Sequence, residues 1–152
     1  MEELFMKVNE CMCKNVVCAQ ADTTVYDVAK LMPENHIGCI PICNFAKNVV
    51  GLITDRDITL RSVACGKDPK TTTAKDIMTT TVYKVNPTAD VTEASKVMCD
   101  CQVKRVPVIQ DNTLVGIITL GDLAHHENVN QEQVSDTLEG ICKCNDNPKN
   151  CF

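Results

Sequence analysis

"VVGLITDRDI", residues Val49–Ile58, and "LVGIITLGDL", residues Leu114–Leu123, write one pattern twice. In each, an apolar run with an embedded glycine leads into Thr-x-x-Asp and then a further apolar residue. The run is too short for a helix and too continuous for a half-exposed strand, so it reads as a buried strand. Thr-x-x-Asp after it reads in two ways. As a capping box, Thr54 or Thr119 accepts a bond from the N3 backbone N–H while Asp57 or Asp122 reaches back, and no ligand is needed. As a clamp, a carboxylate at a strand-to-helix turn accepts bonds from both hydroxyls of a ribose. The threonine hydroxyl and the free N–H groups of the helix start then suit a phosphate oxygen. The residue pattern leaves both open.

Working outward, the repetition covers most of the chain. A shift of 66 residues places Met12 on Met78, Val25 on Val91, Met32 on Met98 and Pro41 on Pro107; from there a shift of 65 places Gly51 on Gly116, Thr54 on Thr119 and Asp57 on Asp122. The lost residue falls where "NFAKN" is matched by "QDNT", a polar link at which a hairpin tolerates a change of length. Each copy carries the same signals in order. An extended piece (Val16 to Cys18; Tyr83 to Val85) precedes a helix starting near Asp22 to Thr24 or Thr88 to Asp90. Apolar residues Val25, Val28, Ala29 and Met32, and Val91, Ala94, Val97 and Met98, give that helix one buried face. The runs "CIPIC" and "VVGLIT", or "RVPVI" and "LVGIIT", are strands, and a closing helix follows. Short helical lead-ins are expected at Lys7 to Met12 and Thr73 to Met78.

The fold class is therefore α/β (α+β), with two pseudo-symmetric β-α-β-β-α units packed sheet to sheet. Residues 7–64 form the first unit, 65–73 a linker, 74–127 the second unit, and 128–152 a tail with one further helix at Gln131 to Cys142.

Composition narrows the function. The chain has 152 residues, 44% of them hydrophobic, enough for a core, but only 3% aromatic and no Trp. Stacking platforms for single-stranded nucleic acid are absent, and a net charge of -5 without a run of Lys and Arg opposes phosphate-backbone binding. No apolar stretch is long enough to span a bilayer, and the acidic N-terminus lacks a secretory pattern, so a cytoplasmic protein without a membrane partner is expected. In that compartment its eleven cysteines are expected as thiols.

The full series in each copy, "CMCKNVV" or "DIMTTTV", the amphipathic helix, "IPI" or "VPV", then GxxTxxD, resembles the cystathionine beta-synthase (CBS) domain. It is present as the usual tandem pair, or Bateman module, over about residues 7 to 126. "HIGCIPI", "GLITDRDI" and "VKRVPV" are similar to small stand-alone bacterial proteins of that family. The resemblance implies a compact pair, often dimerised, that binds AMP, ADP, ATP or an adenosyl relative in clefts between the units. It carries the clamp role onto Thr54 with Asp57 and Thr119 with Asp122. Adenine would lie against Val17, Cys18 and Ala19, Pro41, Tyr83 to Val85, and Pro107 with Val108. Lys104 and Arg105, where the first copy has Gly38 and Cys39, are either surface cations or neutralise phosphates.

The expected function is regulatory ligand sensing without catalysis. The rivals are a constitutive dimeric interaction module with empty clefts and a metal or redox sensor built on thiols. Three CxC pairs (Cys11 and Cys13, Cys99 and Cys101, Cys142 and Cys144) invite the last, but zinc sites usually use C-x2-4-C. Cys142, Cys144 and Cys151 are the best donors. His36, His125 and His126 sit at helix ends, where they suit the dipole. No nucleophile elbow, P-loop or HExxH motif is present, so no enzyme and no cofactor are expected. A homodimer is expected from the closing helices, whose residues Ile58, Leu60, Val63, Leu123 and Ala124 exceed what a small monomer covers.

Overall fold

The structure, a computed structural model, describes residues 5–143. In chain order it holds α1 (Val8–Cys11), α2 (Val25–Asn35), β1 (Cys39–Cys43), β2 (Val49–Thr54) and α3 (Asp55–Ile58), which runs into a π-helical turn at Thr59–Val63. Then come α4 (Ala74–Ile77), α5 (Val91–Cys101), β3 (Arg105–Gln110), β4 (Thr113–Thr119), α6 (Leu120–His125) and α7 (Gln131–Cys142). The two long helices start where the hydrophobic period begins, with Thr24 and Asp90 as N-caps. Both end on a residue in the left-handed region, His36 at φ 55° and Gln102 at φ 52°, a conformation that stops helix propagation.

β1 pairs antiparallel with β2, Cys39 opposite Thr54 and Pro41 opposite Leu52, and β3 pairs with β4. The connections explain the lost residue. In the first hairpin Asn44 Oδ1 accepts from the N–H groups of Ala46 and Asn48, both at 3.0 Å, and holds a longer loop closed. In the second, Asp111 and Asn112 both take positive φ (50° and 65°), the requirement of a two-residue type I′ turn.

The extended pieces expected before the long helices each contribute a single parallel bridge. Ala19 bridges Ile42, and Val85 bridges Val108. On the opposite side of each hairpin the segment after a lead-in adds an antiparallel bridge: Thr79 to Leu52, and Cys13 to Ile117.

The chain divides into two compact units that do not follow the repeat boundaries. Among the described residues, one holds 17–82 with 112–114; the other holds 5–16, 83–111 and 115–143. The lead-in of the first repeat belongs with the body of the second: Val8 N–H donates to Ala89 O and Asn9 N–H to Pro87 O, both at 2.9 Å. In the other unit the equivalent bonds run from Ala74 N–H to Thr23 O (2.7 Å) and Lys75 N–H to Ala21 O (3.0 Å). The first unit's core gathers Val25, Val28, Ile40, Ile42, Ile53 and Ile77 around its hairpin. The second gathers Val8, Val91, Met98, Val106, Ile118 and Leu123, and α7 adds Ile141.

The embedded glycines belong to this arrangement. A Cβ at Gly116 would stand 2.5 Å from Met12 Sδ and 2.9 Å from the Cys13 carbonyl oxygen. At Gly51 it would stand 2.6 Å from Met78 Sδ and 3.1 Å from the Thr79 carbonyl oxygen. The lead-in thus crosses the strand at a separation that only a hydrogen side chain permits. Gly116→Ala is expected to destabilise by about 1–3 kcal/mol, the usual scale of overpacking. Gly51→Ala should cost less, because there the methionine tail can move and the backbone oxygen lies further off. Denaturant unfolding of both variants checks the order; equal losses would remove the backbone approach as the cause.

Candidate functional site

The two Thr-x-x-Asp segments close strands β2 and β4 and open helices α3 and α6. Thr54 N–H and Oγ1–H both donate to Asp57 Oδ2, at 2.9 and 3.1 Å, and Asp57 N–H donates to Thr54 Oγ1 at 3.2 Å. Thr119 N–H and Oγ1–H donate to Asp122 Oδ2 at 2.8 and 2.9 Å, and Asp122 N–H donates back at 3.1 Å. Both segments are therefore capping boxes. In both, the cap uses one carboxylate oxygen, Oδ2, and leaves Oδ1 outside the box.

The sequence contains two further Thr-x-x-Asp runs, at Thr24–Asp27 and Thr73–Asp76. Thr73 N–H and Oγ1–H both donate to Asp76 Oδ2 at 2.9 Å, the same box at the start of a lead-in helix. Thr24 Oγ1–H donates to Asp27 Oδ2 at 2.9 Å at the start of α2. Neither follows a strand with an embedded glycine. Box geometry alone thus does not mark a binding position, whereas a box at the end of a core strand combines a cap with a half-buried carboxylate. Asp57 is only 14% exposed at its side chain, while Asp27 and Asp76 are exposed.

The other candidate residues divide by burial. Ala19, Pro41, Val85, Pro107 and Val108 are buried, and their backbones carry the bridges that widen each hairpin: Ala19 N–H donates to Pro41 O at 3.0 Å and Val85 N–H to Pro107 O at 3.1 Å. Their side chains belong to the sheets. Val17 is half-buried, and Cys18 and Tyr83 are exposed. Lys104 is exposed and Arg105 half-buried. Lys104 O accepts from Leu120 N–H at 3.0 Å, which sets this residue against the start of α6; Gly38 O does the same for Asp55 N–H at 3.1 Å at the start of α3.

Several of the thiols are partly or fully buried. Burial, then the neighbouring Cys18 thiol, pushes the Cys43 thiol up to about 12. Burial, then the Asp122 charge, raises the Cys11 thiol, which donates to Asp122 O at 3.5 Å. Burial raises Cys99 and Cys101 as well, with the Asp100 charge adding to both; a hydrogen bond from Tyr83 opposes the rise at Cys101. In all four the shift favours the neutral thiol over the thiolate, the form that attacks or ligates. Among the described residues no group of three or more His, Cys, Asp and Glu side chains is placed to hold a metal ion. Of the tail cysteines, Cys142 is exposed, and Cys144 and Cys151 lie outside the described residues. A groove of about 440 Å³ opens between α5 and α7, lined by Ser95, Cys99 and Thr137 among others, and none of the candidate nucleotide-binding residues lines it.

The closing helices correct one expectation. Leu123 is fully buried in its own unit and cannot belong to an exposed apolar face; it sits at the fourth position of α6, facing Val106 and Ile118 in the core. Leu60 and Val63 are exposed, at 47% and 68%, and Ala124 is exposed.

A strand–helix–hairpin–helix unit made twice, each with a glycine-crossed strand ending in a Thr-x-x-Asp helix start, defines a tandem pair of small α/β domains. The CBS domain model matches residues 8–63 and 74–128, and the chain belongs to the CBS-domain family. It is 37% identical to hypoxic response protein 1 of Mycobacterium tuberculosis over 127 residues, 84% of this chain and 87% of that one. A crystal structure of hypoxic response protein I with two coordinated zinc ions is similar at a TM-score of 0.74 and 37% identity, over 80% of this chain and 98% of that one. The CBS domain pair of protein MJ0100, in complex with 5-methylthioadenosine and S-adenosyl-L-methionine, is similar at 0.72 and 26%, over 79% and 94%. A hexameric CBS-CP12 protein from bloom-forming cyanobacteria is similar at 0.72 and 29%, over 88% and 80%. A CBS pair supports a regulatory module. No helix among the described residues is long and apolar enough to cross a membrane.

The third box supplies a test of what a pure cap does. Hydrogen bonds from the Thr73 N–H, then from its hydroxyl, hold the Asp76 carboxyl below its ordinary value of 3.8. A carboxyl whose folded pKa is depressed stabilises the fold above its unfolded pKa, and that contribution is lost as pH falls through the folded value. Asp76→Asn is therefore expected to lower the melting temperature at neutral pH. The gap to the parent should close as pH drops below 3.8. Melting curves from neutral to strongly acidic pH check this, and a gap that persists at the acid end would assign the loss to something other than the ionised cap.

Proposed function

We propose that the protein is a non-catalytic regulatory module of the cytosol that binds an adenine nucleotide or adenosyl ligand at its Thr-x-x-Asp helix starts. The observation that carries this proposal is the division of the aspartate. With Oδ2 engaged by the threonine and Oδ1 outside the box, a carboxylate can cap its helix and accept from a ribose hydroxyl at once. Cap and clamp are then compatible roles. In one unit Val17 and the exposed Cys18 offer surface for a base; in the other the exposed Tyr83 does, and Lys104 and Arg105 offer charge for phosphate. The adenosyl ligands named with the MJ0100 pair support the ligand class. Occupancy would act by shifting an equilibrium between conformations, to the extent that the ligand prefers one of them.

Thermal shift with AMP, ADP, ATP and S-adenosylmethionine, set beside guanine nucleotides, tests the class. A ligand at 100 times its dissociation constant adds about 2.7 kcal/mol, a plain upward shift in melting temperature. Calorimetry with ATP and 2′-deoxy-ATP tests the clamp. The ribose form is expected to bind at least tenfold more tightly, and Asp122→Asn to narrow that ratio while costing about 1 kcal/mol or less of stability. No shift with any adenine compound would reduce the boxes to helix starts.

We further propose a homodimer, with Leu60 and Val63 on the closing helix of the first repeat as its apolar contact. The hexamer reported for the CBS-CP12 protein shows that a similar chain assembles. Light scattering at micromolar concentration is expected to give twice the chain mass, and Val63→Glu to shift it to one chain mass. A monomeric parent would remove the proposal.

A further inference from the structure

The two boxes are alike inside and unlike outside, and the difference lies in one residue. Under the 65-residue shift that superposes Asp57 on Asp122, Arg61 superposes on His126. Arg61 donates from Nη1 to Ile77 O at 3.0 Å and to Thr79 Oγ1 at 3.2 Å, bonds that tie it to the lead-in segment packed beside its own helix. So held, its Nε stands 3.7 Å from Asp57 Oδ1. Both oxygens of Asp57 thus have partners within the chain: Oδ2 the threonine, Oδ1 the guanidinium. An exposed ion pair alone would be worth little. Here the two further hydrogen bonds fix the arginine in place, so the pair does not carry the whole cost of ordering it.

Asp122 has no such partner. Its Oδ2 is bound by Thr119 in the same way, but among the described residues no cation pairs with its carboxylate. His126, where Arg61 would be, leaves its buried Nδ1 without a hydrogen bond and so does not reach the aspartate through it. Two more substitutions point the same way. The residues whose backbone abuts the helix start are Lys104 and Arg105 in the second repeat but Gly38 and Cys39 in the first. The first helical residue is Asp55 in α3 and Leu120 in α6, and although Arg56 follows Asp55, the first box gains no net positive charge from the pair. A polyanionic ligand meets at one box an unpaired carboxylate whose helix start abuts the backbone of two basic residues, and at the other a carboxylate already paired with Arg61.

We infer that Arg61 closes the clamp of the first repeat from within, and that the protein takes one anionic adenine nucleotide per chain, at Thr119 and Asp122. This rests on the nucleotide reading above and assigns its site. Arg61 is then a specificity-determining residue: it satisfies the carboxylate that a ribose would otherwise claim.

Titration calorimetry of the full chain with AMP, ADP and ATP, on the parent and on Asp57→Asn, Asp122→Asn and Arg61→Met, tests it. The parent is expected to bind one equivalent per chain. Asp122→Asn should weaken binding at least tenfold, Asp57→Asn should change it less than twofold, and Arg61→Met should raise the stoichiometry above one. Two equal sites in the parent, a tenfold loss in Asp57→Asn, or an Arg61→Met protein that binds more weakly or still binds one equivalent would each overturn it. The last pair of results would make the arginine a phosphate ligand or a bystander. If Arg61→Met does not fold, the two aspartate variants decide. Absence of heat with all three nucleotides brings down the nucleotide reading and this inference together, whereas binding that depends on Asp57 and ignores Asp122 brings down the inference alone.

Discussion

The approach of a lead-in segment to a glycine in a strand is the constraint on which each unit depends. At Gly116 and Gly51 the crossing segment comes so near that an added Cβ would fall within 2.5–2.6 Å of a methionine sulfur. That proximity allows Cys13 and Thr79 to pair with Ile117 and Leu52, which covers the outer side of a hairpin that would otherwise present an unpaired edge. On the other side Ala19 and Val85 do the same. Each hairpin of two strands becomes a sheet four segments wide, with bridges one residue long at its margins. The strand so buried ends at the box, and its burial brings the aspartate into a half-covered position.

Because the covering segment comes from the other repeat's lead-in, neither repeat closes its own sheet. Val8 and Met12 serve the hairpin of β3 and β4, while Ala74 and Met78 serve that of β1 and β2. The hydrophobic period and the length of the lead-ins are equally compatible with packing at home. Nothing in a single sequence distinguishes the two, since the equivalent residues have equivalent chemistry. The exchange emerges only from which carbonyls the N–H groups of Val8, Asn9, Ala74 and Lys75 find. By contrast, the long helices, both hairpins and α7 were legible, because amphipathic spacing and β-branched runs bounded by turn residues have few alternative solutions.

The site was legible to a different degree. Thr54, Asp57, Thr119 and Asp122 stand out because the pattern recurs after a strand, and the boxes form there. The same four-residue spacing at Thr24 and Thr73 passed unnoticed, since neither lies in an apolar run that draws attention to it. Leu123 was misassigned to a surface because α6 is short, and a helix of six residues offers too little sequence to fix which side is inward. Arg61 belongs to no motif in the sequence. Its bonds to Ile77 O and Thr79 Oγ1 depend on the exchanged packing of the lead-in, so its role had no signature in local sequence.

Duplication explains how two boxes can share a geometry and differ in chemistry. What the fold demands of each is a glycine under the crossing segment, a threonine at the strand end and an aspartate three residues on, and both copies retain all three. What it leaves unspecified are the residues at the rim: Asp55 or Leu120, Gly38 or Lys104, Arg61 or His126. A substitution at the rim changes the charge that a ligand meets without disturbing Oδ2, which serves the helix. The aspartate is therefore a poor indicator of binding when taken alone, because the fold would keep it in an empty site. The oxygen that the cap does not use, and whatever stands beside it, carries the distinction. In the first repeat that neighbour is a guanidinium held by Ile77 O and Thr79 Oγ1; the second repeat has no cation paired with its aspartate among the described residues, and at the equivalent sequence position carries His126, whose Nδ1 makes no hydrogen bond. One scaffold thus supports a box whose aspartate is paired on both oxygens and a box whose aspartate is paired on one.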